Sequence, residues 1–223
     1  MTGLACPQCG ASIAFRSADL PVRICDYCRS AIVRDGATLR DAGKVAAVPE
    51  DVSPLQLGTR GRDGEHAFEL VGRVRWRWDD GAWNEWLAVG NDGRHFWLGE
   101  AMGRFMLLHK IPEPQSKSKI VADVAKLAMP KVGAVVAIAG VSYVVADVKH
   151  VTCVASEGAL PQPTITGTRA LSIDLMARDG RAATIQREGK ATHAYAGRYV
   201  TLADIAATNL RAFDGWPMPR YSA

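Results

Sequence analysis

No segment of this chain is apolar enough to cross a bilayer as a helix. The longest apolar run, Val132 to Val148, is interrupted by Gly133, Gly140 and Ser142. It falls short of the roughly 20 residues a span needs and predicts buried strands instead. A secretory h-region is also missing, because Cys6 to Cys28 is punctuated by Pro, Gly, Arg and Asp. So are the common catalytic signatures: there is no G-x-S-x-G, no H-E-x-x-H and no dinucleotide fingerprint. Gly58, Gly61 and Gly64 recur at intervals of three, but no Gly-Lys-Ser/Thr follows, so this is a turn feeding a strand and not a P-loop. The histidines His66, His95, His109, His150 and His193 are scattered and read as strand or surface residues.

Cysteine is scarce as well, and its distribution is uneven. Four of the five cysteines form two CxxC pairs, Cys6-Pro7-Gln8-Cys9 and Cys25-Asp26-Tyr27-Cys28. Each pair bends into a tight knuckle, helped by Pro7 and by Gly10, which accepts a left-handed backbone. Four converging thiolates make a closed tetrahedral site, and a structural Zn²⁺, one per chain, is the expected occupant. Two disulfides would need an oxidising compartment; reduced thiols with no export signal point to the cytoplasm. The fifth, Cys153, forms an H-x-x-C with His150, but in a strand the two lie on opposite faces, so Cys153 is a small buried hydrophobe.

A concentrated basic stripe is lacking too. The formal net charge is +4, yet residues 1–46 hold six cations against four aspartates. A zinc ion with four thiolates adds −2, leaving the ribbon near neutral. Nucleic acid is therefore not an expected partner. Arg73, Arg75 and Arg77 alternate with Val74, Trp76 and Trp78, and the alternation puts stacking rings and cations on opposite faces, against a nucleic-acid platform.

What is present reads as β structure. His66 to Trp78 alternates, with Phe68, Leu70, Val74, Trp76 and Trp78 on one face. Further strands are predicted at 85–89, 95–98, 105–109, 135–154, 170–177 and 182–187, separated by turns such as Asn91-Asp92-Gly93. Ile120, Val121, Val124, Leu127 and Ala128 have helical spacing within 116–129, ended by Pro130. Thr201 to Asp204 reads as a capping box opening a short helix through Leu210. The resulting organisation is a zinc ribbon (1–48), a first β module (49–115), a helical linker (116–131), a second β module (132–214) and a tail (215–223) holding Trp216 to Pro219.

The two β blocks carry matching segments in the same order. Val71-Gly72-Arg73-Val74-Arg75 matches Val145-Ala146-Asp147-Val148-Lys149; Asp92-Gly93-Arg94 matches Asp179-Gly180-Arg181; Gly103-Arg104-Phe105 matches Gly197-Arg198-Tyr199. A duplication implies two similar sheets or small barrels packed together. The fold class is mostly β, a four-cysteine ribbon followed by two related antiparallel modules with one or two short helices.

Five of the six tryptophans fall between Trp76 and Trp97. Trp78, Trp83 and Trp86 bracket an acidic hairpin with Asp79, Asp80 and Glu85. Aromatic faces beside carboxylates hold organic cations; cross-strand aromatic packing is the other reading.

Leu57-Gly58-Thr59, Val71-Gly72-Arg73-Val74, Trp83-Asn84-Glu85-Trp86 and Trp97-Leu98-Gly99-Glu100 together resemble the bacterial DUF4178 family. Some of its members are similar in having a double-CxxC ribbon in front and the module repeated. Nothing in the second copy here matches the Trp-x-Glu-Trp unit. The resemblance supplies no activity to carry onto residues; it implies a setting near membrane stress and polyamine synthesis. The reading is a non-enzymatic module that binds or scaffolds a protein partner in a cytoplasmic complex. The alternatives are a polyamine or organic-cation binder using the tryptophan hairpin, and an enzyme whose site leaves no motif.

Overall fold

A computed structural model describes residues 4–112, 118–126, 128–215 and 220–221. The predicted helix position Leu127 and the tail from Trp216 to Pro219 lie outside the described residues. The N-terminal ribbon consists of β1 (Leu4–Ala5), β2 (Ser12–Ile13), β3 (Val22–Ile24), β4 (Ser30–Asp35) and β5 (Thr38–Lys44). The first block follows as β6 (Arg60–Asp63), β7 (His66–Trp78), β8 (Gly81–Gly90), β9 (His95–Ala101) and β10 (Arg104–Lys110). After helix α1 (Lys119–Ala125) come β11 (Val135–Ile138), β12 (Val141–Leu160), β13 (Arg169–Met176), β14 (Arg181–Glu188) and β15 (Ala191–Val200). The molecule is mostly β, and none of the described helices is long and apolar enough to cross a membrane.

Each block contributes a four-stranded antiparallel meander, β7–β10 and β12–β15. Neither closes on itself. Strand β10 pairs with β15 and β12 with β7, so the eight strands form one ring. Shared pairing satisfies every edge that two separate sheets would expose. Glycine sits at both seams. A Cβ on Gly72 would lie 1.9 Å from the Ala159 carbonyl oxygen, and one on Gly197 would lie 1.8 Å from that of Leu107. Strand β15 is alanine- and glycine-rich and is not apparent from the sequence pattern. Strand β12 runs to Leu160, six residues past the expected strand end at Val154.

The alternation in β7 does not keep one face. The ladder with β8 shifts between Leu70 and Gly72, which places a bulge at Val71. A bulge adds one residue and turns the following side chains over. Phe68 and Leu70 accordingly join one core with Trp86, Leu98 and Leu107, whereas Val74 and Trp76 join another. Strand β12 has a similar shift between Val145 and Asp147.

The Asp-Gly-Arg segments form one kind of turn in both meanders. Asp92 accepts from the backbone N–H of Arg94 at 3.0 Å and Asp179 from that of Arg181 at 3.1 Å, with Gly93 at φ 80° and Gly180 at φ 85°. The third matched pair is not equivalent. Gly103 lies in the β9–β10 turn, whereas Gly197 lies mid-strand in β15 opposite Leu108.

Both outer faces of the ring are covered. Ile120 and Val124 of α1 pack on Tyr143, Val145 and Ile173 of the second meander. The first meander is covered by Leu55 and by Leu202, Ile205 and Ala207, from the chain that follows β15. The Thr201–Asp204 capping box forms, with reciprocal bonds of 2.7 and 3.1 Å, but the segment makes turns and no helix. Ala206 takes φ 45° and Thr208 then bridges to Arg60, which pulls the chain out of helical geometry. The ribbon extends the same sheet: β3 pairs with the end of β12 through Arg23–Ala159 and Val22–Leu160.

Candidate functional site

Two knuckles of the same design hold the cysteines. Gly10 N donates to Cys6 O and Arg29 N to Cys25 O, each at 2.9 Å, and both residues take positive φ. The sulfurs of Cys6, Cys9, Cys25 and Cys28 all lie within 4.8 Å of one another. Cys6 and Cys28 are 3.8 Å apart and Cys9 and Cys25 3.7 Å, and none is in a disulfide. Tetrahedral bonds of about 2.3 Å place ligand sulfurs about 3.8 Å apart. Four soft donors at that spacing fit one metal ion. The Ser30 hydroxyl and backbone amide hold the Cys28 thiol down to about 6.

A second site lies inside the ring. A cavity of about 430 Å³ is lined by side chains from all eight strands of the barrel. Trp78, Trp83 and Trp97 form its aromatic wall; Glu85, Glu100, Asp147 and Asp174 are its acidic groups, and Arg104 and Lys149 its cations. Trp78 and Trp83 meet with ring centroids 5.4 Å apart and planes tilted by 44°. Glu85 is clamped through both oxygens: Trp76 Nε1 donates to Oε2 at 2.8 Å and Trp83 Nε1 to Oε1 at 3.1 Å. Burial inside the barrel lifts the Glu85 pKa to about 7 against the pull of the two indoles, and the nearby Asp174 adds to the rise. Asp174 accepts from Thr184 Oγ1 at 3.0 Å and is also raised by burial. Lys149 pairs with Asp147 and holds its Nζ 5.2 Å from the centre of the Trp78 ring. The protein's own ammonium thus already sits on this aromatic wall.

The hairpin expected around Asp79-Asp80 is present, with Trp78 opposite Gly81 and Trp76 opposite Trp83. It brings Trp78, Trp83 and Glu85 together at the cavity. Asp79 and Asp80 are exposed at the turn and do not line it. Trp86 points to the other face, where its Nε1 donates to Glu100 Oε2 at 2.9 Å. Alternation divides the Trp-Asn-Glu-Trp and Trp-Leu-Gly-Glu segments the same way. Trp83, Glu85 and Trp97 face the cavity, while Trp86 and Leu98 join the outer core and the Glu100 carboxylate accepts from Asn84 and Trp86 there.

That outer layer is an ion network. Asp51 binds Arg73, Arg75 and Arg211, and Arg73 stacks 4.6 Å over Trp86 while donating to Asn84. Burial opposes ionisation of Asp51, but Arg73, Asn84 and Arg75 hold its carboxyl below the usual carboxylate range. Two of the three β7 arginines are therefore engaged internally. Cys153 is buried, and burial pushes its thiol up to about 12. Asp174, Lys149 and Tyr195 were not expected at a site. The only local sign was polar residues at alternate positions in otherwise apolar strands.

No curated protein and no solved structure matches this chain. The model of one family, a domain of unknown function designated DUF4178, matches residues 56–202. That span runs from the glycine turn before β6 to the residue that turns back over the first meander, and it includes both tryptophan segments and the whole ring. It covers about two thirds of the sequence. The chain belongs to the DUF4178 family.

Proposed function

We propose that this protein is a non-enzymatic binding module whose barrel takes a small organic cation, with a structural zinc ion in the four-cysteine ribbon. The observation that carries the reading is the placement of Trp78, Trp83 and Glu85 on one cavity wall inside the ring. A cavity of this size suits a small ligand. An ammonium there meets indole faces and a carboxylate together, and it replaces the proton that Glu85 otherwise keeps near neutrality. The zinc rests on the donor set, since four thiolates at tetrahedral spacing satisfy Zn²⁺ completely.

Each exposed cation–π contact contributes about 0.5–1 kcal/mol and more when water is excluded, so affinities from roughly micromolar to millimolar are expected. Titration with butylamine and with spermidine, followed by tryptophan fluorescence, tests the reading. Saturable quenching is expected in the wild type and its loss in Glu85→Gln, with the far-UV spectrum unchanged. A flat titration at millimolar amine removes it.

A further inference from the structure

Behind the aromatic cavity lies a second one of about 230 Å³, and the two share Glu85, Trp97, Gln186 and Tyr195 as walls. Its far end differs in charge. His95 of β9, Lys110 of β10 and His193 of β15 all line it. Burial lowers both imidazoles, and the Lys110 ammonium nearby lowers them further. Asp19 draws on His95, and Glu188 in the same cavity is engaged by Gln162 Nε2 at 2.7 Å and Thr164 Oγ1 at 3.3 Å. An anion placed among His95, Lys110 and His193 meets the Lys110 ammonium and favours protonation of the two imidazoles, as an ammonium at Glu85 favours its ionisation.

The ladder connects the two ends. Gln186 stands opposite His193, and its amide reaches 3.5 Å from Glu85 Oε2. On β9, His95 is four residues from Gly99, the partner of Glu85. At about 3.3 Å per residue this separates the acidic and basic groups by on the order of 10 Å along the barrel.

We propose that the natural ligand is a short linear zwitterion, its ammonium between Trp78, Trp83 and Glu85 and its carboxylate or phosphate among His95, Lys110 and His193. This rests on the cation reading of the first cavity and narrows it. A free diamine or polyamine that reached the second cavity would bring a cation against Lys110.

The test compares butylamine and hexylamine with linear ω-amino acids and with phosphorylated amino alcohols of matching length. Binding is followed by calorimetry on the full chain near pH 7.5. The zwitterion of best length is expected to bind at least tenfold more tightly than the alkylamine of that length. The carboxylate and phosphate series show which anion the basic end prefers. In Lys110→Ala, an exposed position on the barrel rim, the zwitterion should fall to the affinity of the alkylamine. Equal affinities in the wild type, or an advantage that survives in both Lys110→Ala and His95→Ala/His193→Ala, overturn the inference. Amine binding without any such advantage leaves the cation reading intact, whereas absence of binding by every probe sinks both.

Discussion

At the residue scale, Glu85 and Asp51 titrate in opposite senses, and this separates their effects by pH. Glu85 is raised from an ordinary value of 4.5 to about 7, so the proton stabilises the fold. That contribution is complete below 4.5 and is lost as pH rises through about 7. Asp51 is lowered from 3.8, so its pairing is intact above that value and fails only in stronger acid. Replacing Glu85 by Gln should therefore shift relative stability in the variant's favour between pH 4 and pH 8, by on the order of 3 kcal/mol. Urea denaturation of both proteins at the two pH values checks this; a difference independent of pH rules it out. The same titration sets the ligand's pH dependence. An ammonium needs ionised Glu85, so amine affinity should fall about tenfold per pH unit below 7.

At the element scale, the two meanders depend on close approach at their seams. Gly72 stands opposite Gly158 across the β7–β12 pairing, and Gly158 itself takes φ 76°. A methyl group at Gly72 meets backbone, which cannot rotate away as a side chain would. Gly72→Ala and Gly197→Ala should each cost at least about 2 kcal/mol, more than an ordinary surface change. Thermal unfolding measures this, with Gly103→Ala as a control. Gly103 has φ 74° but nothing within 4 Å of its Cβ position, so it should lose only the about 1 kcal/mol associated with backbone strain. Equal losses at all three positions would show that the seams are not tight. The paired Asp-Gly-Arg turns support reading the meanders as copies, and their joint closure explains why neither is a complete barrel.

At the scale of the whole molecule, the ribbon both gathers the four cysteines and packs against the barrel. Leu20 packs among Val71, Leu87 and Ala159, and Val22 among Leu160 and its neighbours, all nearly fully buried. A ribbon of this size buries too little to fold without its ion. Purified protein should contain about one zinc per chain, measured by elemental analysis. Chelation or Cys25→Ser should unfold the ribbon and leave the barrel folded. Losing buried contacts such as those of Leu20, Val22 and Ile24 should lower barrel stability by at least about 3 kcal/mol. Global unfolding on zinc removal, or no change in barrel melting, would contradict this division.

The cysteine knuckles and turn residues were legible in the chain because their constraints are local. A CxxC knuckle closes within four residues, and an Asp-Gly-Arg turn carries its own hydrogen bonds and its own left-handed glycine. Strand β7 was legible from His66 to Trp78 for the same reason, since alternation is written into neighbouring positions. Which side of that strand became the inside was not. Both faces are buried, and a single bulge at Val71 exchanges them, so composition at alternate positions fits either assignment. Nor could the pattern show that β10 would pair with β15 and β12 with β7, because those contacts join residues dozens of positions apart through backbone groups common to every residue. The cavity follows from that closure alone: Glu85, Lys149, Asp174 and Tyr195 come from four strands in two separate blocks, and they share an environment only once the ring is complete.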